Sequence, residues 1–418
     1  MNLLRGDPVK AVPSINLSFK LFLYAVIFWT LGITVARAIR LPNIYAKCHW
    51  LFDYRFGFMK RGLVGAVCNN ITAILGKTVT SDLISILSGI AFGLFIIGMI
   101  LIMIDLLEES GYEMNVILLI AVFVSSPFIV MSAHIFGYFD NILYLILMLS
   151  IYFVEKKLFL TAAVISSAAI LIHESYLVIG VPLLYFSVFM KCCSDDKEKK
   201  PRVRDIIFMS LPIFVFIFLF VYGTINKDNE LNSKLYHYLN SFDYISTNRR
   251  RGVSHWQTIS FFELFRTQSR FFMRRLFQLD AIAVFVPGLI IILQFIYASF
   301  KIKVLSFRSI FLQIVILAPL TMHIIAFDTI RLSLNSVGIG FLTIWVLKKD
   351  LPFFKFDPGM IVPAFIVLAV NFFTRVPLMD NCVDGFTNIQ RALFYLPLFA
   401  VLIFFIADKT GSEKINKP

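Results

Sequence analysis

The sequence predicts an all-α fold: a polytopic transmembrane helical bundle of about 12 spans, within a range of roughly 10–13, with interfacial helices in its external loops. Three observations carry this. The hydrophobic fraction of 59% lies well above the roughly 45–50% of soluble domains. The excess is concentrated in uninterrupted apolar runs of spanning length. The 46 Phe residues suit lipid-facing helices better than a soluble core.

Taken in order, the apolar runs fall at residues 18–38, 83–104, 115–133, 139–154, 158–173 and 176–190, then 206–224, 280–299, 309–326, 332–347, 358–373 and 389–407. The first begins near Leu17 and is followed by ARAIRLPN, without a small-residue cleavage site, and so reads as an uncleaved span. An even number of crossings puts both termini on one face, and residues 1–418 read as a single transmembrane domain. The closely spaced runs between 115 and 190 leave room for a re-entrant segment.

Basic residues divide almost equally between the two faces, so their count does not orient the chain. The faces differ in kind instead. On the terminal face the linkers are short and Lys-rich, as in the basic loop 191–205, which reads as cytoplasmic; the acidic linker DLLEESGYE departs from that pattern. On the opposite face the loops 41–80 and 225–279 are long, aromatic and Arg-rich, which places that face outside. The net charge of +13 then points to anionic lipid or phosphate and not to nucleic acid. No P-loop, GxGxxG, zinc spacing or G-x-S-x-G is present, and no cofactor is expected; a divalent metal is compatible with the chemistry but has no motif. Cys48 and Cys68 could pair if their loop faces an oxidising compartment.

The stretch LFDYRFGFMKRGLVG, Leu51 to Gly65, holds Asp53, Arg55, Lys60 and Arg61 within nine positions beside a bilayer. Ions there need pairing, hydration or a charged ligand. They fit either a loop presenting one carboxylate and several cations to a phosphorylated lipid-borne sugar or an interfacial loop touching headgroups. The same face gathers His134 and Asp140, His173 and Glu174, and His323, Asp328 and Arg331. Each has a plain alternative. Asp140 fits a helix cap, Asp328 and Arg331 fit an i,i+3 ion pair, and His173 with Glu174 fits a polar turn or half a metal site. In the second long loop, residues 258–277 predict a helix lying in the interface, with Arg266, Arg270 and Arg274 recurring every fourth position. Like charges at that spacing expect an anion, either lipid headgroups or a substrate pyrophosphate over which Arg249, Arg250 and Arg251 would close.

A first span, a long external loop carrying an acid, and many further spans with no soluble domain resemble the GT-C type of membrane glycosyltransferases. The Arg-rich outer loops are also similar to those of bacterial O-antigen polymerases. Asp53 falls where the GT-C pattern puts its external-loop acid, and the next acid is Asp82. The resemblance implies glycosyl transfer on the external face of a bacterial inner membrane, within cell-surface polysaccharide assembly. It implies a polyprenyl-phosphate or pyrophosphate sugar donor, a glycan acceptor, contact with membrane lipid and with polysaccharide-assembly proteins. Asp53 would then act as base, with Glu174 or Asp140 as substitutes, and Arg55, Lys60, Arg61, Arg250, Arg270 and Arg331 as phosphate ligands. A polytopic transporter or flippase for a lipid-linked or anionic substrate is the competing expectation.

Overall fold

The computed structural model describes residues 16–57, 59–193, 201–225, 230–300, 302–303, 305–348 and 358–415; of residues 224, 247–251 and 407–415 it describes the backbone alone. Among the described residues there is no β-strand, only a bridge between Pro377 and Val383. All twelve apolar runs are helical, and eight helices are long and apolar enough to cross a membrane. The chain is a multi-pass helical membrane protein.

Helix α1 (Leu17–Ala36) leads to a loop carrying α2 (Ile44–His49), a 3-10 turn at Tyr54–Phe56 and α3 (Leu63–Ile74). On α3, Val67, Ile71 and Ile74 stand exposed, as an interfacial helix requires. The 29-residue α4 (Ser81–Glu109) follows, then α5 (Met114–Val124) and α6 (Pro127–His134) as two halves of one span. Pro127 interrupts that span, and the Ser125 hydroxyl and the Asn371 amide both donate to the Val122 carbonyl, which the break leaves without a helical N–H. This span is entirely buried and forms the axis of the bundle. Around it run α7 (Asp140–Glu155), α8 (Phe159–Ile172), and α9 (Tyr176–Ile179) continued by α10 (Val181–Cys192).

Helices α11 (Val203–Phe208) and α12 (Leu211–Ile225) form a peripheral span only 11% buried, left to lipid. Helices α13 (Leu231–Asn240), α14 (Thr247–Thr258), α15 (Phe261–Gln268) and α16 (Phe272–Leu276) fill the second long loop. Then come α17 (Leu279–Phe300), α18 (Phe307–Leu317) with a 3-10 extension to Ile324, α19 (Thr329–Leu347), α20 (Ile361–Phe373) and α21 (Asn388–Ile415). Helix α19 packs on the axis, where Phe341 stacks on Phe123 with ring centroids 3.7 Å apart.

Three expectations change. The helix predicted over 258–277 is broken: α14 ends at Thr258, and a 3-10 turn at Ser269–Phe271 separates α15 from α16, so the arginines form no continuous stripe. Cys48 and Cys68 are both buried and form no disulfide. Asp140 does not cap α7; it lies in the first turn with its carboxylate turned to Arg331.

Candidate functional site

At one end of the bundle a cavity of about 580 Å³ draws its walls from the first loop, the α6–α7 turn, the α8–α9 turn, α14–α15, the α18–α19 turn and the α20–α21 loop. Arg61, Asp140, His173, Asp328 and Arg331 all line it. Arg331 lies between two carboxylates: Nη2 is 2.8 Å from Asp328 Oδ2, and Nη1 is 3.5 Å from Asp140 Oδ2. The i,i+3 pair expected on the helix is thus present, with a second acid brought in from α7. Aromatic faces complete the wall. Tyr45 stacks on Tyr138 at 5.9 Å, and Trp256 meets the Phe327 ring edge-on at 5.1 Å.

A second cavity of about 330 Å³ adjoins the first, sharing Leu264 and Ile325. Its apolar wall comes from α12, through Phe216, Leu219 and Phe220, and its polar wall includes Lys60, Glu174 and Gln257. Between the cavities Arg61 and Glu174 form a bidentate pair: Nε to Oε2 at 2.9 Å and Nη2 to Oε1 at 2.5 Å. Arg61 reaches this position from a left-handed backbone, φ +61°, which an arginine adopts only where its surroundings impose it. The imposition is visible nearby. Gly65 packs so closely on Phe52 that a Cβ there would fall 1.9 Å from the Phe52 carbonyl oxygen, and Gln257 donates to the Lys60 carbonyl.

Burial would raise the Glu174 carboxyl, but the Arg61 guanidinium outweighs it and holds the group well below the usual carboxylate range. Burial, reinforced by Arg61, drops His173 to about 3, so it is a neutral imidazole at pH 7; its Nδ1 accepts from the Ser175 N–H at 3.1 Å. Burial likewise lowers Lys60 to about 8, where its Nζ donates to the Ile259 carbonyl at 3.0 Å. His49 is pushed well below its ordinary value by burial and then by Arg61.

Several buried polar atoms on these walls have no protein partner: His49 Nδ1 and Arg331 Nε in the first cavity, and Gln257 Oε1 in the second. Such atoms are rare in interiors and mark places where a ligand or water completes the bonding.

Other sequence candidates lie elsewhere. Asp53 lines neither cavity. It is buried and occupied, accepting from Arg55 Nε at 2.9 and 2.8 Å, from the Arg55 backbone N–H at 3.0 Å and from Asn69 Nδ2 at 2.6 Å. Arg55 in turn lies over the Tyr238 ring, 4.7 Å from its centroid. His134 bonds the Met379 carbonyl at 3.2 Å, and His323 bonds Ser333 Oγ at 3.1 Å; neither lines the cavities. Arg270 is exposed beside the Phe271 ring, and the Arg250 side chain lies outside the described residues. Among the described residues no cluster of three His, Cys, Asp or Glu could hold a metal.

Sequence reasoning missed Asp380, which also lines the first cavity from a left-handed backbone, φ +62°, and pairs with Arg40 at 2.9 Å. Its signal was the polar island MDNCVDG between two apolar runs, on the face already holding the other candidates. It missed His49, Tyr45, Tyr138 and Trp256 as well, ordinary residues that only folding brings together.

Fold and site together define a multi-pass helical membrane protein with two adjoining ion-lined cavities at one end. Comparison with protein-family models, with curated proteins and with solved structures returned no match.

Proposed function

We propose that the chain transfers a sugar from a lipid-borne phosphate or pyrophosphate to a glycan acceptor, in the external leaflet of a bacterial inner membrane and within surface-polysaccharide assembly. The observation that carries the reading is the convergence in one cavity of three carboxylates, Asp140, Asp328 and Asp380, with flat aromatic faces and two guanidiniums. Carboxylates that accept from hydroxyl groups, next to rings that stack on a sugar's apolar face, suit a carbohydrate better than a free anion. Arg61 at the cavity's edge and Lys60 behind it supply positive charge for the departing phosphate.

A hydroxyl must lose its proton as it attacks the anomeric carbon, and we assign that proton to Asp140, with Glu174 on the adjoining cavity as the alternative acceptor. Asp53, already fully engaged, takes no part in this scheme. The test is transfer by purified protein from synthetic polyprenyl-phosphate and polyprenyl-pyrophosphate sugars. The wild type is expected to form product and Asp140→Asn to lose about a hundredfold or more in rate. Full activity in Asp140→Asn would exclude it as the base.

A transporter for the same ligand is the second reading. It is favoured by the ion pairs Lys191–Glu155, between α10 and α7, and Lys348–Asp105, between α19 and α4, which tie helix ends together away from the cavities, as a carrier gated at that end would need. Product formation in detergent, where no compartments exist, separates the two.

A further inference from the structure

Two consecutive pairs of residues straddle the wall between the cavities. On the first loop Lys60 faces the second cavity and Arg61 the first; on the α8–α9 turn Glu174 faces the second and His173 the first. The bidentate Arg61–Glu174 contact, about five-sixths buried on both sides, crosses this wall.

The pair therefore satisfies two needs that exclude each other. While it is closed, the Arg61 guanidinium spends two of its donors on a carboxylate and is a poor ligand for a phosphate. The Glu174 carboxylate, held by those donors, is a poor proton acceptor. A buried pair of this kind exchanges only when a competing ion arrives to take one partner, since separation would otherwise strand two charges. The second cavity is built to receive such an ion. Lys60 supplies a cation one residue from Arg61, and the α12 side is an apolar wall on the span left most exposed to lipid.

We propose that the Arg61–Glu174 pair is a movable partition between two ligand chambers, and that the anionic head of an amphipathic molecule seated at Lys60 opens it by drawing Arg61 away from Glu174. The molecule's apolar tail lies against Phe216, Leu219 and Phe220. Opening joins the chambers and releases the Glu174 carboxylate once the second is filled, so that the second chamber licenses events in the first. The partition stands on its own geometry; only the identity of what fills the first chamber rests on the transfer reading.

The experiment uses the full chain in nanodiscs of neutral lipid, with decyl phosphate as probe and inorganic phosphate for comparison. Affinity is measured by calorimetry. Decyl phosphate is expected to bind the wild type at least tenfold more tightly than inorganic phosphate does, and Lys60→Met to weaken it tenfold or more. Glu174→Gln is the discriminating variant. With no carboxylate to compete for Arg61, it is expected to bind decyl phosphate about threefold or more tightly, whereas a fixed structural wall would leave affinity unchanged or reduced.

The wild type supplies a second readout that does not depend on variants folding. Trp256 lines the first cavity, so its share of the fluorescence, obtained by difference from Trp256→Phe, is expected to become more open to acrylamide quenching when decyl phosphate fills the second. Unchanged affinity in Glu174→Gln together with unchanged quenching overturns the partition. Equal affinity for both probes overturns the amphipathic ligand. Intact probe behaviour without sugar transfer contradicts the transfer reading alone.

Discussion

Asp53 and Asp140 are both buried carboxylates, yet folding gives them opposite surroundings. Asp53 accepts from a guanidinium, an amide and a backbone N–H, all within its own loop and α3. Asp140 has one long contact at 3.5 Å and a cavity before it. Asp53→Asn is therefore expected to lower stability, by about 1–3 kcal/mol once the half-exposed Arg55 partner is discounted, and to leave the rate of the folded fraction near wild type. Thermal unfolding in detergent, with specific activity measured on the surviving monodisperse peak, checks both. A stable but inactive Asp53→Asn protein would restore Asp53 to the chemistry.

Lys60 gives a pH test of the same site. Burial disfavours its charge, so the unfolded chain holds the proton between about 8 and 10.5 where the folded chain does not, and stability from this group rises with pH across that window. Anion binding runs the other way, fading as pH rises through about 8. Carbon-13 titration of reductively methylated protein, with Lys60→Arg to assign the signal, is expected to give a midpoint near 8; a midpoint near the ordinary 10.5 would mean the group is solvated.

Among the elements, the α20–α21 loop shows how a site residue is held. At its base Asp384 is fully buried between Arg37 of the first loop and Arg391 of α21, at 2.9 and 2.8 Å, and also accepts from the Val376 N–H at 2.7 Å. Arg37 and Arg391 each donate to loop or helix-end carbonyls as well. This clamp fixes the loop from which Asp380 enters the cavity. Leaving a guanidinium buried without its carboxylate costs roughly 3–5 kcal/mol. Asp384→Leu is therefore expected to reduce the yield of folded protein severely, read by size exclusion, and near-normal yield would show the clamp to be dispensable.

None of that clamp was legible beforehand. Arg37 ends an apolar run and Arg391 begins one, positions where basic residues ordinarily meet headgroups, and nothing local shows that both turn inward to one acid 347 and 7 residues away. The broken 258–277 segment teaches the converse. Its periodicity was real, but Arg275, not one of the every-fourth arginines, is the residue drawn inward, to Gln268 Oε1 at 2.7 Å and the His323 carbonyl at 3.0 Å. These tertiary bonds accompany a 3-10 turn at Ser269–Phe271, where the amphipathic pattern is interrupted.

Across the described residues, hydropathy alone located all eight helices long and apolar enough to cross a membrane, because a chain in lipid must satisfy its backbone within each segment and the apolar runs leave little choice. Alternation of the runs also placed the distant polar groups on one face, which is why Arg61, Asp140, His173, Glu174, Asp328 and Arg331 do meet at one end. What alternation could not supply was depth and direction within that face. Asp53 and Arg61 stand eight positions apart on the same loop, yet one is turned into a private ion pair and the other into a shared wall.

If the two cavities hold a phosphate-linked glycolipid, native mass spectrometry of the protein purified gently from its own membrane detects it most directly. The wild type is expected to retain a bound lipid whose fragments yield both a phosphate and a hexose or related sugar, and Arg61→Met with Asp328→Asn to release it. Ordinary phospholipids alone, in equal amounts on the wild type and the double variant, would contradict the account.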